Sequence, residues 1–451
     1  MLPTLTSLQN DLAEGRTTSV ALTEAALARI DDAQGEGARA FTKVYREQAL
    51  AAAQASDLLR AAGLTRSPVD GLPISIKDLF DVAGDTTLAG SKVLKDAEPA
   101  RENAVIVQRL LNAGAVIVGR TNMSEFAFSG LGLNPHYGTP SSPWDRATGR
   151  IPGGSSSGAG VSVADGMAVA AIGTDTGGSV RIPSAFCGLT GFKPTAARVP
   201  TQGALPLSWT LDSIGPLAAS VECCAILDAL LSGIGYRAPV APPPDHLRLA
   251  SISAISLAGA DEHVTQTYRS TLDALDSQGV QIEEISLPEF GELPHINRLG
   301  GFAGAESWAW HRQLLAEHAA DYDPRVSVRI ARGQAMNAAE YIDLQRIRPQ
   351  WIAAVETRLR EYDALLMPTV PVTAPAIADL EASDDAYFST NGLILRNPTY
   401  INFLNGCALS LPCHAAGTAP VGLMVAGCAG RDAHILDVGL ALEGALAQHR
   451  G

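Results

Sequence analysis

Apolar positions recur at three- and four-residue steps near the start of the chain: Val20, Thr23, Leu27 and Ile30 lie on one helical face. Ser7 and Ser19 stand where N-caps are expected. Arg46 to Ala62, rich in alanine, reads as a second amphipathic helix. The rhythm then changes. In Leu72-Pro73-Ile74-Ser75-Ile76-Lys77-Asp78 the residues Leu72, Ile74 and Ile76 alternate with the rest, which predicts a strand with Lys77 on the opposite face. Ala104 to Ala113 is predicted helical and stops at Gly114; Ala115 to Val118 is predicted to be a buried strand. Helix alternating with strand points to the α/β class.

Between Thr139 and Gly178 glycine and serine dominate in two clusters, separated by the apolar run Val161 to Ile172. An apolar run of that length must be packed, so the clusters are tight backbone passages beside core elements and not a flexible linker. Ala241-Pro242-Pro243-Pro244 is a break in the pattern. Strand-like pieces return at Leu247 to Ile252, Val280 to Ile285 and Leu365 to Met367, around a helical stretch carrying Trp308, Trp310 and Trp351. No repeat of solenoid length is present. One domain spanning 1–451 is expected, opening with a helical region over 1–68; two domains split near residue 243 is the alternative.

Composition narrows the class. Hydrophobic residues are 46% of the 451 and charged residues 18%, which fits a globular enzyme with a large aliphatic core. The net charge of −14 and the lack of a Lys/Arg cluster argue against direct binding of nucleic acid. No basic leader with an apolar core opens the sequence, and no apolar run reaches membrane-spanning length. The six cysteines include no Cys-x-x-Cys pair, so a zinc site is not expected, and Cys223 and Cys224 read as core thiols. The expectation is a cytoplasmic, reduced, metal-free protein without membrane contact.

Three segments carry candidate chemistry. In Gly173-Thr174-Asp175-Thr176-Gly177-Gly178-Ser179-Val180-Arg181, two glycines before a serine let successive N–H groups converge on one point, where they can hold an oxyanion beside a nucleophile. A capped glycine turn is the other reading. In Pro152-Gly153-Gly154-Ser155-Ser156-Ser157-Gly158, the serines can cap a helix, and Gly154 to Gly158 fits G-x-S-x-G with Ser156 as an elbow nucleophile. The elbow needs a strand before it, and Thr148 to Pro152 is a poor one. Lys77 has apolar flanks, Ile74, Ile76, Leu79 and Phe80, which predict burial. Burial disfavours the charged amine, and a neutral lysine is a competent general base.

Together these segments resemble the amidase signature family. The match rests on Gly71-Leu72-Pro73-Ile74-Ser75-Ile76-Lys77-Asp78, on Gly153-Gly154-Ser155-Ser156 and on Gly173 to Ser184. Cys187-Gly188-Leu189-Thr190-Gly191-Phe192-Lys193-Pro194, Leu211-Asp212-Ser213-Ile214-Gly215-Pro216, Ser410-Leu411-Pro412-Cys413 and Pro420-Val421-Gly422-Leu423 extend it. The resemblance implies a large mixed central β-sheet covered by helices on both faces, with the signature core over 69–216. It places substrate specificity in a variable, mainly helical region over 287–397. It implies a Ser–cis-Ser–Lys triad of Ser179 as nucleophile, Ser155 as bridge after a cis peptide, and Lys77 as base. The oxyanion hole falls on the N–H groups of Thr176, Gly177, Gly178 and Ser179. Ser156 and Thr174 fall at supporting hydroxyls, and Asp175 with Arg181 at a structural pair. Ser157 followed by Gly158-Ala159 departs from the paired glycines of many members.

The implied activity is hydrolysis of a small-molecule amide through a seryl acyl-enzyme, without metal or organic cofactor and as a homodimer. The main rival is the glutamine-hydrolysing amidase subunit of a tRNA-dependent amidotransferase, for which the chain is short. The tryptophans of the variable region are candidates for an aromatic or acyl pocket, with core packing the alternative. His136 and His414 lie in loops near the motifs, as structural or substrate-facing residues.

Overall fold

The computed structural model describes residues 2–450. Among the described residues eleven strands are formed: β1 Phe41–Val44, β2 Pro73–Lys77, β3 Val116–Thr121, β4 Ala170–Asp175, β5 Thr190–Lys193, β6 Ser213–Ala218, β7 Arg248–Ser251, β8 Gln281–Glu284, β9 Ala364–Pro368, β10 Cys407–Pro412 and β11 Gly422–Gly427. They make one mixed sheet in the order β1-β3-β2-β4-β6-β5-β10-β11-β9-β7-β8. Strands from both sides of the Ala241–Pro244 stretch therefore share a single sheet. The alternation of side chains along the strands explains why both faces are covered. Val116 and Val118 enter one apolar cluster with Leu27, Ala53 and Val161, while Ile117 enters the opposite one with Ile74, Ile172 and Leu227. The same division recurs in β11, where Leu423 and Val425 face one cluster and Met424 and Ala426 another.

The early elements match the hydrophobic rhythm closely. Helices occupy Ser19–Ile30, Arg46–Ala61 and Val105–Asn112, and the Lys77 strand is β2. The caps are shifted. Thr4 and Thr18, whose backbones are extended, cap the first two helices, whereas Ser7 is the third helical residue, closing a capping box with Thr4, and Ser19 is the first. The N-terminal region is not wholly helical, because Phe41–Val44 pairs antiparallel with β3 at the sheet edge. The apolar run Val161–Ile172 divides between the helix Ser157–Ala164 and β4. Across 287–397 the single strand is β9, and helices make up most of the rest. Among the described residues no helix is long and apolar enough to cross a membrane.

The sheet positions the chemistry through two parallel pairings. β2 lies between β3 and β4 and runs parallel to both, with Ile76 opposite Ile172. This register sets Lys77, the last residue of β2, beside the Gly173–Asp175 end of β4. In parallel sheets the carboxyl ends of strands are where ligand sites form.

Candidate active site

Lys77 is fully buried. Its Nζ donates to Ser155 Oγ at 2.7 Å and to Thr174 Oγ1 at 2.8 Å. Burial pulls its pKa down from 10.5 to about 7, against the opposing charges of Asp212 and Asp175. A large fraction of this amine is therefore neutral near pH 7, with a serine hydroxyl in reach. The Gly154–Ser155 peptide is cis. Gly154 is confined to glycine by close packing, since a Cβ there would lie 2.6 Å from Gly132 N. Ser156 points elsewhere: it is buried, and its Oγ donates to Thr174 O at 3.4 Å. Thr174 thus touches both the lysine strand and the serine segment, as acceptor for Lys77 and for Ser156.

Ser179 follows a loop locked by a buried ion pair. Arg181 Nε and Nη2 donate to the two oxygens of Asp175 at 2.9 and 2.8 Å, and both residues are fully buried. Asn402 adds a bond to Asp175 Oδ1 at 2.9 Å and accepts from Arg181 at 2.6 Å. Burial alone would raise the Asp175 carboxyl, but the Arg181 charge and its hydrogen bonds hold it well below the usual range. The same carboxylate takes the N–H groups of Gly178 at 2.8 Å and Val180 at 3.2 Å. Of the four N–H groups that the resemblance places in the oxyanion hole, that of Gly178 is engaged by the Asp175 carboxylate, and those of Thr176, Gly177 and Ser179 have no partner among the described residues. Gly178 has φ +126°, and a Cβ would lie 2.6 Å from both Ile182 and Pro398, so only glycine fits.

Ser179, Thr176 and Gly177 line a cavity of about 210 Å³. Apolar side chains from both halves of the chain, among them Leu207, Leu211, Leu395 and Phe403, form its walls. Among the described residues Ser179 Oγ has no hydrogen-bond partner, and the side chain is 4% exposed, so it meets the cavity and little else. Lys77 and Ser155 are fully buried, and neither is among the residues lining the cavity. Lys77 and Ser155 can exchange a proton across their 2.7 Å hydrogen bond, and among the described residues no hydrogen bond joins Ser155 to Ser179.

Several residues of this region carry no sequence signal of a role. Asp212 sits in the Leu211–Pro216 motif, yet its part emerges only in the fold. Its Oδ1 accepts from Thr176 Oγ1 at 2.5 Å, and its Oδ2 accepts the N–H groups of Leu207 and Ser208 at 3.0 and 3.1 Å. Burial pushes its carboxyl up to about 6, against those hydrogen bonds and the Lys77 charge. Glu306 fastens the same loop from the other side, accepting from Ser208 Oγ at 2.6 Å and from Tyr341 at 2.7 Å. Among the described residues lining the cavity, Arg329 is the one charged side chain.

The tryptophans do not line the Ser179 cavity. Trp351 is buried, stacked 5.6 Å from Phe290 and edge-on to Phe403, and Trp308 and Trp310 pack against the main apolar cluster. His136 is structural, with Nε2 2.7 Å from the buried Glu125. His414 is not among the cavity-lining residues.

A family model described as Amidase matches residues 21–436. The chain is similar to 2-amino-5-chloromuconic acid deaminase of Comamonas testosteroni, at 35% identity over 89% of this chain and 87% of that protein. It is also similar to a glutamyl-tRNA(Gln) amidotransferase subunit of Chloroflexus aggregans, at 34% identity over 98% of this chain and 96% of that protein. That coverage overturns chain length as an argument against the amidotransferase reading. Among solved structures, a crystal structure of an amidase superposes with a TM-score of 0.88 at 33% identity, covering 98% of this chain and 99% of the other.

Proposed function

The chain belongs to the amidase family and is an amide-cleaving enzyme, and from that premise we propose that it hydrolyses a small-molecule amide through an acyl-enzyme on Ser179. The observation that carries this reading is the buried Lys77 amine, 2.7 Å from Ser155 and held at about 7. Ser179 Oγ attacks the amide carbonyl and passes its proton to Ser155 Oγ, whose own proton moves to Lys77 Nζ. The N–H groups of Thr176, Gly177 and Ser179 hold the oxyanion. When the carbon–nitrogen bond breaks, Ser155 hands a proton to the departing nitrogen and recovers one from Lys77. Water then enters by the same relay, releases the carboxylic acid and restores the serine.

The small cavity supports a small substrate, since pockets for drug-sized ligands run to about 300–1,000 Å³. The similarity to a deaminase named for a muconic acid supports it too. The second reading, a glutamine-hydrolysing component of an amidotransferase, is favoured by the near full-length similarity to the amidotransferase protein. One experiment addresses both. Purified protein is assayed for ammonia or amine release from a panel of small amides and from glutamine, alongside labelling by a serine-reactive phosphonate. The expected result is turnover of small amides by the chain alone, with label on Ser179 and none in Ser179→Ala. Label on Ser156 overturns the triad. Glutamine as the one amide hydrolysed favours the second reading.

A further inference from the structure

The helix Asp384–Phe403 supplies Leu395, Thr399 and Phe403 to the walls of the Ser179 cavity. It also packs on the oxyanion loop, where a Cβ added to Gly178 would lie 2.6 Å from Pro398. Its last turn carries Asn402. The Asn402 Nδ2 donates to Asp175 Oδ1 at 2.9 Å and to Asp175 O at 3.3 Å, and Asn402 Oδ1 accepts from Arg181 at 2.6 Å. The place of this one turn therefore bears on the ion pair whose carboxylate holds the N–H groups of Gly178 and Val180. A helix end is a weak support by itself, because its last carbonyls have no intrahelical partner and the turn frays.

Arg348, on the helix Ala338–Leu359, supplies what the end lacks. Its Nε donates to Phe403 O at 2.9 Å and its Nη2 to Asn402 O at 3.1 Å. A planar fork across two consecutive carbonyls fixes the orientation of the turn as well as its position. The positive charge also meets the negative end of the helix dipole. The guanidinium stands 5.5 Å from the centre of the Phe302 ring and 5.8 Å from that of Phe403, both of them walls of the Ser179 cavity. Arg348 and Phe302 line a second groove as well, of about 370 Å³, with Thr210, Gln345, Pro349 and Ile352. The arginine is thus within reach of a small solute from that groove while its hydrogen bonds run toward the oxyanion loop.

We propose that Arg348 is a positioning residue for amide cleavage: by holding the carbonyls of Asn402 and Phe403 it sets the Asn402 amide against Asp175, and so the aim of the oxyanion loop. It touches no reacting atom. The proposal rests on the amidase reading of Ser179 and adds a residue of the variable region that governs the loop. The loop donors act on charge that develops in the transition state, so a misaimed loop lowers kcat and leaves substrate binding largely as it was. A displacement near 1 Å is enough to cost about 10²-fold in rate.

The test compares the wild type, Arg348→Ala and Arg348→Lys on the amide of the panel above that is turned over fastest. Each is assayed alone, with methylguanidinium and with methylammonium. Hydrogen exchange in the peptides covering Gly178 and Val180 is followed in parallel by mass spectrometry. Arg348→Ala should lose about 10²-fold in kcat with KM little changed. Methylguanidinium should restore part of that loss from the groove, and methylammonium should not. Exchange should quicken in the Gly178 peptide and stay as in the wild type in the distant strands. Arg348→Lys, which keeps the charge without the planar fork, should fall between the two. A rise in KM with kcat unchanged overturns the proposal, because the arginine would then only back the Phe302–Phe403 wall. So does a loss of kcat with wild-type exchange at Gly178, or with exchange quickened throughout the protein. No recovery with methylguanidinium, or equal recovery with both cations, overturns the role of the fork. A wild type that cleaves no amide sinks the amidase reading, and exchange in the Gly178 peptide then decides the proposal alone. Should Arg348→Ala fail to fold, Arg348→Lys decides: wild-type kcat and wild-type exchange in that variant overturn the proposal.

Discussion

Replacing Lys77 with methionine should remove activity and, at the same time, change how stability depends on pH. An amine whose ordinary value is 10.5 sits at about 7 in the folded chain. Below pH 7 the lysine is protonated both folded and unfolded, and burying the charge costs roughly 4–5 kcal/mol of folding stability. Between 7 and 10.5 the unfolded chain binds a proton that the folded chain does not, so wild-type stability rises with pH. Above 10.5 the cost is gone. The methionine variant would carry no such titration. In that variant the hydroxyls of Ser155 and Thr174 lose the amine, and each one left unsatisfied costs about 1–3 kcal/mol. The offset between the two proteins at a single pH therefore mixes opposing effects, but the slope does not. From pH 7 to 9 the wild type should gain roughly 2 kcal/mol on Lys77→Met. Urea unfolding of both proteins followed by circular dichroism at several pH values measures this. The same lysine should give wild-type kcat/KM an acid limb that falls about tenfold per pH unit below 7. A stability difference independent of pH, together with a flat acid side in the rate profile, would refute the reasoning.

The elements legible in the sequence were those with an uninterrupted period or clear punctuation. β2 alternates, and β3 follows the Gly114 stop. β11, Gly-Leu-Met-Val-Ala-Gly, is uniformly apolar because both its faces are covered, and such a run has no period to read. β5 is four residues long and holds Gly191 and the buried Lys193, whose Nζ is satisfied by the carbonyls of Pro194 and Gly406, contacts invisible along the chain. The catalytic candidates were legible because glycine and serine spacing is local. Asp212 and Arg329 were not. Arg329 stands between Arg325 and Arg332 on a short helix and looks like one of a solvated set. Arg325 is tied to Asp384 and to the carbonyls of Leu380 and Glu381, and only the fold turns its neighbour Arg329 into the cavity. Position along the loop puts the Gly178 N–H beside its neighbours, whereas the buried Asp175 carboxylate decides where it points.

Two further substitutions separate the roles of the acidic groups behind the oxyanion loop. Arg181→Met leaves Asp175 a buried carboxylate without its cation, and urea unfolding should show a loss of about 3–5 kcal/mol; a loss below about 1 kcal/mol would contradict the pairing. Asp212→Asn should move the acid limb of kcat/KM to lower pH. The Asp212 charge is the strongest of those that oppose the burial of Lys77, so its removal lets the lysine pKa fall below about 7. Asparagine can still accept the Thr176 hydroxyl through its carbonyl, but its NH₂ would face the N–H groups of Leu207 and Ser208, donor against donor. The loop bearing Leu207 and Leu211 should loosen, raising KM for every amide. A residue that merely braced the loop would raise KM and leave the limb in place. A residue that sets the charge around Lys77 moves the limb, and in one direction: a limb that stays put or shifts to higher pH in Asp212→Asn would show that the carboxylate does not act on the lysine.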